Sequence, residues 1–217
     1  MHDVPRKTVL LIFFSNASFK RLFWISIFSI LDWGTYISGL IPLACIEVPE
    51  GVKYLAVVNL IAKSNYRWAQ NSDIVVRMPC GGGVGAGPYH SQTNEVWFTK
   101  VPGLKVVYPS HPYEAKGLLN ASIDDPKPVM YFEHKFLYRT VSEEIPSSRY
   151  TLELGKGKIR NIGSKVTIVS YGLGVHWALG LLDNYKNQEI EIIDLNTLVP
   201  WDKDCLLYTS PSPRDVE

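Results

Sequence analysis

The sequence predicts an α/β protein in which a parallel sheet is flanked by helices and is followed by part of a second α/β domain. From Gly39 onward, short apolar runs alternate with amphipathic stretches, as strands alternate with helices in such a fold. The alternation restarts after a polar, turn-rich stretch at residues 143–159. The length of 217 residues accommodates one domain and part of another.

Six apolar runs predict strands, at residues 43–48, 73–78, 104–109, 128–133, 165–172 and 190–195. The run at 73–78 ends at Pro79 and a glycine-rich stretch, which is typical of the end of a strand. The last two runs enclose a helical stretch and predict a strand–helix–strand unit, the beginning of the second domain.

Four stretches have the pattern of helices, residues 52–61, 93–98, 110–123 and 177–185. Thr93 and Ser110 stand at the starts of the second and third, where a hydroxyl can accept a hydrogen bond from a free backbone N–H. Pro112 and Glu114 strengthen the third start, since proline suits the first turn and a carboxylate suits the positive end of the helix dipole.

Composition excludes several function classes. The formal net charge is +1, with 22 basic and 21 acidic residues and no dense basic run, so nucleic acid is not an expected partner. Cys45, Cys80 and Cys205 are far apart and fit neither a zinc site nor a disulfide framework, which indicates a reducing compartment and no metal site on sulfur.

Two apolar runs near the N-terminus, residues 8–14 and 22–31, are each shorter than the ~18 residues of a membrane span. Their pattern leaves open a signal or anchor, a buried segment, or a translation artefact. A noncatalytic, membrane-tethered interaction module is therefore an alternative function, and no membrane association is otherwise predicted.

The stretch "CGGGVGAGPYHSQ", residues 80–92, is the main candidate site. Gly81, Gly83 and Ala86 fit the dinucleotide fingerprint formally, but Pro88 falls where its helix should run. A nucleotide-binding domain and a mobile surface loop are the alternatives. His90, placed directly after a backbone without side chains, can transfer protons to a ligand held against that backbone.

The other histidines are interpreted as structural. His111 lies in a helix-start turn, His134 at a strand end, and His176 near the start of a helix, while His2 is in the terminal segment. We expect His134 to affect stability or assembly rather than chemistry.

Residues 77–119, with "PYHSQ" and "PGLKVVYPSHPYEAKGLL", closely resemble the beta component of thiamine diphosphate-dependent 2-oxo acid dehydrogenases of the branched-chain and pyruvate type. The resemblance continues through "FEHKFLYR", "VSYGLGVHWA" and "IDLNTLVPWD" and covers roughly residues 39–204. The glycine-rich stretch looks like that of bacterial polypeptides in which alpha and beta components are fused.

The resemblance implies oxidative decarboxylation of a branched-chain 2-oxo acid or pyruvate, with acyl transfer to a lipoyl group. It implies that the beta component supplies the aminopyrimidine side of the thiamine diphosphate site and that an alpha component holds the diphosphate and Mg²⁺. His90 would handle protons, and Tyr89, Gly83, Gly85 and Val48 would lie at the cofactor.

The resemblance further implies a structural K⁺ and, as partners, the alpha component and a lipoyl-bearing acyltransferase. The assembly would be a heterotetramer or a fused homodimer, in the bacterial cytoplasm or the mitochondrial matrix. The implied domains are an unmatched N-terminus at 1–38, a pyrimidine-binding domain at 39–150, a linker at 151–163, the start of a transketolase C-terminal-like domain at 164–204, and an artefactual tail at 205–217.

The sequence departs from the family pattern in places. No glutamate precedes Glu47, although family members carry one upstream that hydrogen-bonds the pyrimidine ring. Val48 stands where phenylalanine is usual, and Asn196 where arginine is common. We therefore expect this chain on its own to be inactive.

Overall fold

A computed structural model describes residues 9–10, 56–85, 87–185 and 189–209, with the side chains of Val9, Leu10, Tyr89, His90, Tyr208 and Thr209 excepted. The predicted strand at 43–48, which includes Val48, lies outside the described residues, as do the rest of segment 1–38 and the end of the chain.

Eight strands are present in the described part: β1 (Val9–Leu10), β2 (Val75–Cys80), β3 (Lys105–Val107), β4 (Val129–His134), β5 (Lys158–Asn161), β6 (Val166–Ser170), β7 (Ile190–Asp194) and β8 (Thr197–Val199). The helices described are α1 (Ala56–Ile61, π-helical), α2 (Ser64–Trp68), α3 (Gly87–His90), α4 (Glu95–Thr99), α5 (Pro112–Asp124), α6 (Leu137–Thr140), α7 (Leu173–Gly180) and α8 (Lys203–Thr209), with a 3₁₀ turn at Leu181–Asp183.

The first sheet has the strand order β1-β2-β4-β3-β8. Its strands run parallel except β8, which pairs antiparallel with β3. The second sheet has the order β5-β7-β6, with β6 and β7 parallel and β5 antiparallel. The architecture is α/β with mostly parallel sheets, as the sequence predicts.

Both faces of the first sheet are buried. One face carries Val106, Met130 and Phe132, and the opposite face carries Val107 and Tyr131, all no more than 1% exposed. Parallel strands covered on both sides need near-continuous apolar side chains, and this explains why the sequence shows short apolar runs instead of alternation.

Several predictions of local structure are wrong in detail. The N-terminal cap of α4 is Asn94, not Thr93, and it makes no side-chain cap bond. The cap of α5 is His111, and Ser110 bonds to Asp194 instead. The stretch predicted as a helix from 177 to 185 is helical at Leu173–Gly180, followed by the 3₁₀ turn.

The stretch 151–163, predicted as a linker, contains β5, which pairs with β7. The stretch 164–204 contributes β6 and β7 to the second sheet, with α7 between them in the chain. Its strand β8 joins the first sheet. Residues of the predicted second domain therefore complete one edge of the first sheet.

Candidate active site

The glycine loop, residues 81–92, follows the carboxyl end of β2 and is closed at its base. The backbone N–H of Gly81 donates to the carbonyl of Gln92 at 2.9 Å. Carboxyl ends of parallel strands are where α/β sheets bind ligands, and the ends of β4 and β3 lie beside that of β2. The loop therefore lies at the edge where a ligand site is expected.

The glycines of the loop other than Gly81 have open space among the described residues at the position of a Cβ. Gly83 and Gly85 have φ of 74° and 73°, and a Cβ at either would meet no atom within 4 Å. Gly81 is different, because its φ is 130° and a Cβ there would lie 2.6 Å from the ring of His134. The loop is anchored at its first residue and open beyond it.

The sequence-predicted site residues fall in this loop, with one exception. Tyr89 and His90 form the end of α3, and Gly83 and Gly85 precede it. The side chains of Tyr89 and His90 are not among the described ones, and Val48 lies outside the described residues. The helix after the glycines has four residues, unlike the long helix that a dinucleotide fingerprint opens.

A buried polar cluster lies beside the loop. Glu95, in the first turn of α4, is 7% exposed and accepts a hydrogen bond from the Tyr171 hydroxyl at 3.1 Å. Its second oxygen, Oε2, has no partner among the described residues. Burial and the Glu95 charge raise the pKa of Tyr171 to about 12, so the phenol stays a donor at neutral pH. This bond joins the loop region to the residue that follows β6.

Tyr108 links the same region to β2. Its hydroxyl lies 3.1 Å from Cys80 Sγ, and its ring stacks on Phe132 and tilts against Tyr171. Burial raises the pKa of the Cys80 thiol to about 12. Because the thiolate is the nucleophile, Cys80 is a packing residue and not a reactive one.

A second buried network joins the two sheets, and sequence analysis did not predict it. The Ser110 hydroxyl donates to the Asp194 carboxylate, and its oxygen lies 2.6 Å from His111 Nδ1. Arg160 donates to the same carboxylate at 2.7 Å, and Asp194 is fully buried. A serine has one proton to donate and it goes to Asp194, so His111 Nδ1 carries the proton that Ser110 accepts.

His176 also belongs to this network, although the sequence indicated a surface or cap residue. Its Nε2 lies 2.8 Å from the Ser110 carbonyl, and its ring stacks on His111 with centroids 4.6 Å apart. Burial, the Arg160 charge and His176 lower the pKa of His111. The 66 residues between Ser110 and His176 explain why a local pattern could not show the contact.

Asn196 has a structural position. It adopts a positive φ of 55°, its backbone N–H donates to Asp194, and its carbonyl accepts from the Tyr108 backbone at 2.8 Å.

In the described parts of the chain no three His, Cys, Asp or Glu side chains are grouped so as to hold a metal ion. No helix there is long and apolar enough to cross a membrane.

Comparison with known families agrees with this geometry. Residues 56–141 match the transketolase pyrimidine-binding domain, and residues 155–210 match the transketolase C-terminal domain. The chain is 39% identical over 191 residues to a 2-oxoisovalerate dehydrogenase subunit beta of Bacillus subtilis, covering 84% of this chain and 58% of that protein. The chain belongs to the 2-oxo acid dehydrogenase beta-subunit family.

Other members of this family are similar to the same extent. A pyruvate dehydrogenase E1 component subunit beta of Mycoplasma genitalium is 40% identical over 177 residues, 78% of this chain and 54% of that protein. The chain thus spans just over half the length of these relatives. A solved split-gene transketolase, described as an inactive beta4 tetramer, has a TM-score of 0.57 and 19% identity over 74% of this chain and 50% of its own; it shows the fold alone.

Proposed function

We propose that this chain contributes to a 2-oxo acid dehydrogenase that decarboxylates a branched-chain 2-oxo acid or pyruvate and passes the acyl group to a lipoyl group. In this proposal the chain supplies the pyrimidine side of a thiamine diphosphate site, and an alpha component supplies the diphosphate and Mg²⁺ side. The observation that supports it most is a glycine loop ending in His90 at the carboxyl ends of parallel strands, in a chain of this family.

The described residues are compatible with such a cofactor. The backbone at Gly83 and Gly85 is bare and open, so a ligand or a partner chain can approach it closely. Glu95 keeps a buried oxygen that no described residue donates to, and a buried carboxylate oxygen is stabilised once a donor reaches it. Tyr89 and His90 would complete this side of the site. The cofactor would supply the carbanion-stabilising chemistry.

The protein's own part in the reaction is positioning and proton handling. His90 would hold or release a proton at the reacting centre, since an imidazole with an ordinary pKa of ~6.5 exchanges protons near neutral pH. Phe98, Phe132 and Tyr108 belong to the buried cluster that also contains Cys80, the residue before the loop, and this cluster would exclude water from that side of the site. Excluding water strengthens the electrostatic interactions of the groups that remain.

The partners and the substrate are part of the same proposal. We expect the alpha component and a lipoyl-bearing acyltransferase as partners, in the cytoplasm of a bacterium or in a mitochondrial matrix. A relative named for 2-oxoisovalerate and one named for pyruvate are about equally similar, at 39% and 40% identity. Both substrate classes must therefore be assayed.

The test compares the chain alone with a completed protein. Residues 1–217 are purified, thiamine diphosphate, Mg²⁺ and either 2-oxo acid are added, and reduction of an artificial electron acceptor is followed. The same assay is run on a chimera in which residues 56–204 replace the matching segment of the Bacillus subtilis beta subunit, together with its alpha subunit. We expect turnover only in the chimera with the alpha subunit; a folded chimera that binds the alpha subunit but has no turnover on either substrate would contradict the proposal.

A further inference from the structure

The ring of His134 lies directly under the first residue of the glycine loop. His134 ends β4, is 6% exposed, and pairs in register with Cys80, the residue before Gly81. A Cβ at Gly81 would lie 2.6 Å from both Cε1 and Nε2 of the ring and 2.9 Å from Cδ2. The ring therefore fills the space that a side chain at the start of the loop would take.

The protonation pattern of this ring follows from its hydrogen bonds. The backbone N–H of Phe136 donates to Nδ1 at 3.3 Å, so Nδ1 is an acceptor and the proton of the neutral ring is on Nε2. A hydrogen bond with the Gly82 backbone raises the pKa of the ring, which is the effect of a bond that the ring donates. His134 thus connects Phe136, in the segment after β4, to the backbone of Gly82 in the loop.

Two backbone bonds support the same corner. The N–H of Lys135 donates to the Cys80 carbonyl at 2.9 Å, and the N–H of Gly81 donates to the Gln92 carbonyl at 2.9 Å. The ring bridges these two connections, because it bonds to the segment after β4 on one side and to the loop on the other. Of the hydrogen bonds between described residues, freeing the ring would leave Gly81 with its bond to the Gln92 carbonyl.

We propose that His134 is a positioning residue that holds the glycine loop, and with it His90, against the end of β4. This proposal rests on the proposed function only for the role of His90 and goes beyond it by assigning a task to a histidine whose sequence context indicated a role in stability or assembly. His134 contacts the loop backbone and acts on the chemistry through it.

The contacts of His134 with the Phe136 N–H and the Gly82 backbone, called the clamp below, depend on pH. Burial and the neighbouring Lys135 charge lower the pKa of His134. Lys135 is the charged group that acts on the ring, and Cys80 pairs with His134 in register on β2. Glu133, which is bound to Arg77, lies one position back on the opposite face of the sheet. No carboxylate of these compensates a charged ring at that corner, and a protonated Nδ1 can no longer accept from Phe136.

The sign of the effect follows from this lowered pKa. An opened loop leaves His134 with an ordinary pKa of ~6.5, so the open state binds the proton more tightly than the closed state. The closed loop is fully stable above that pH and loses stability as the pH falls below it, levelling off below the pKa of the closed state.

The test is hydrogen exchange of the full chain between pH 5 and 8, corrected for intrinsic exchange rates, in peptides that cover residues 81–92 and 135–140. The amides of Gly81, Ser91 and Phe136 are hydrogen-bonded and report on the clamp. We expect His134→Phe to lower loop protection roughly tenfold at pH 7.5, as expected for losing a buried hydrogen-bond partner. The fall in protection below pH 6.5 should be present in the natural chain and absent in this variant.

His134→Asn keeps an acceptor near the position of Nδ1 and should restore the protection of Phe136 without the pH step. Ile192→Val, a buried change in the second sheet, controls for a general loss of stability. Loop protection in His134→Phe equal to that of the control, or a pH step that persists without the histidine, would overturn the proposal. The pH series on the natural chain also tests it, since a loop with no step there has no histidine clamp. These results do not depend on turnover, so a failure of the proposed catalytic role of His90 is separately visible.

Discussion

Replacing Gly81 with alanine combines two costs at one position. The φ of 130° strains a residue with a side chain, by about 1–3 kcal/mol. The new methyl group would also lie 2.6 Å from the buried ring of His134, and overpacking of this kind costs a further ~1–3 kcal/mol. We expect Gly81→Ala to lower the free energy of unfolding by about 2–6 kcal/mol.

Gly83→Ala is the matched control, because Gly83 also has a positive φ, 74°, but has open space where its Cβ would be. It should cost only the backbone strain, about 1–2 kcal/mol. Urea unfolding of the full chain, followed by tryptophan fluorescence and circular dichroism, measures both. In a chain that already carries His134→Ala, adding Gly81→Ala should cost only its backbone strain, so the double variant recovers the overpacking part of the loss relative to the His134→Ala single variant. Equal destabilisation by Gly81→Ala and Gly83→Ala, or a double variant with no recovery, would refute the account of this corner.

The remaining predictions concern the contacts that join the two sheets. Tyr171→Phe should cost about 1–3 kcal/mol of unfolding free energy, because it leaves the buried carboxylate of Glu95 without its donor; Glu95→Gln, which keeps an acceptor oxygen for the tyrosine, should cost less, and urea unfolding that shows the reverse order would contradict this. Arg160→Met should cost about 3–5 kcal/mol, since it leaves the fully buried Asp194 without its cation; calorimetry that finds less than about 1 kcal/mol would contradict this. The pKa of His111 is lowered, so its contribution to stability is complete above ~6.5 and is lost as the pH falls below that value; His111→Phe should flatten this part of a pH–stability curve, and an unchanged curve would show that another group is responsible.

Two of the strands that the sequence predicted are buried continuously. Residues 128–133 and 190–195 read as apolar runs because β4 and β7 are buried along their whole length. The sequence analysis missed β5, whose residues 158–161 are polar except Ile159 and lie at least partly exposed at an edge, so no apolar run marks them. It also missed β8, three residues whose strand identity comes from pairing with β3, about 90 residues earlier in the chain.

The candidate site was predicted in part for a similar reason. The glycine loop and the place of His90 directly after it follow from adjacent residues, and the structure has that loop at the end of β2. The network of Ser110, His176 and Asp194 depends on contacts across 66 to 84 residues. Helix-cap rules misassigned Ser110 because its hydroxyl donates to the buried Asp194 and its oxygen accepts from His111 Nδ1, so the oxygen does not accept from a backbone N–H at the start of α5.

The measurement that tests the central claim most directly is the turnover of His90→Ala in the chimera with its alpha subunit, at saturating lipoyl acceptor and on whichever 2-oxo acid is used. Loss of a positioned acid or base should slow turnover by roughly 10²–10⁴-fold, with the affinity for thiamine diphosphate changed by less than about tenfold. Lys127→Ala, an exposed change near the amino end of β4, should leave both quantities within about twofold as a control. Unchanged turnover in His90→Ala would contradict the account, because the loop that the fold places at this edge would then carry no group that takes part in the reaction.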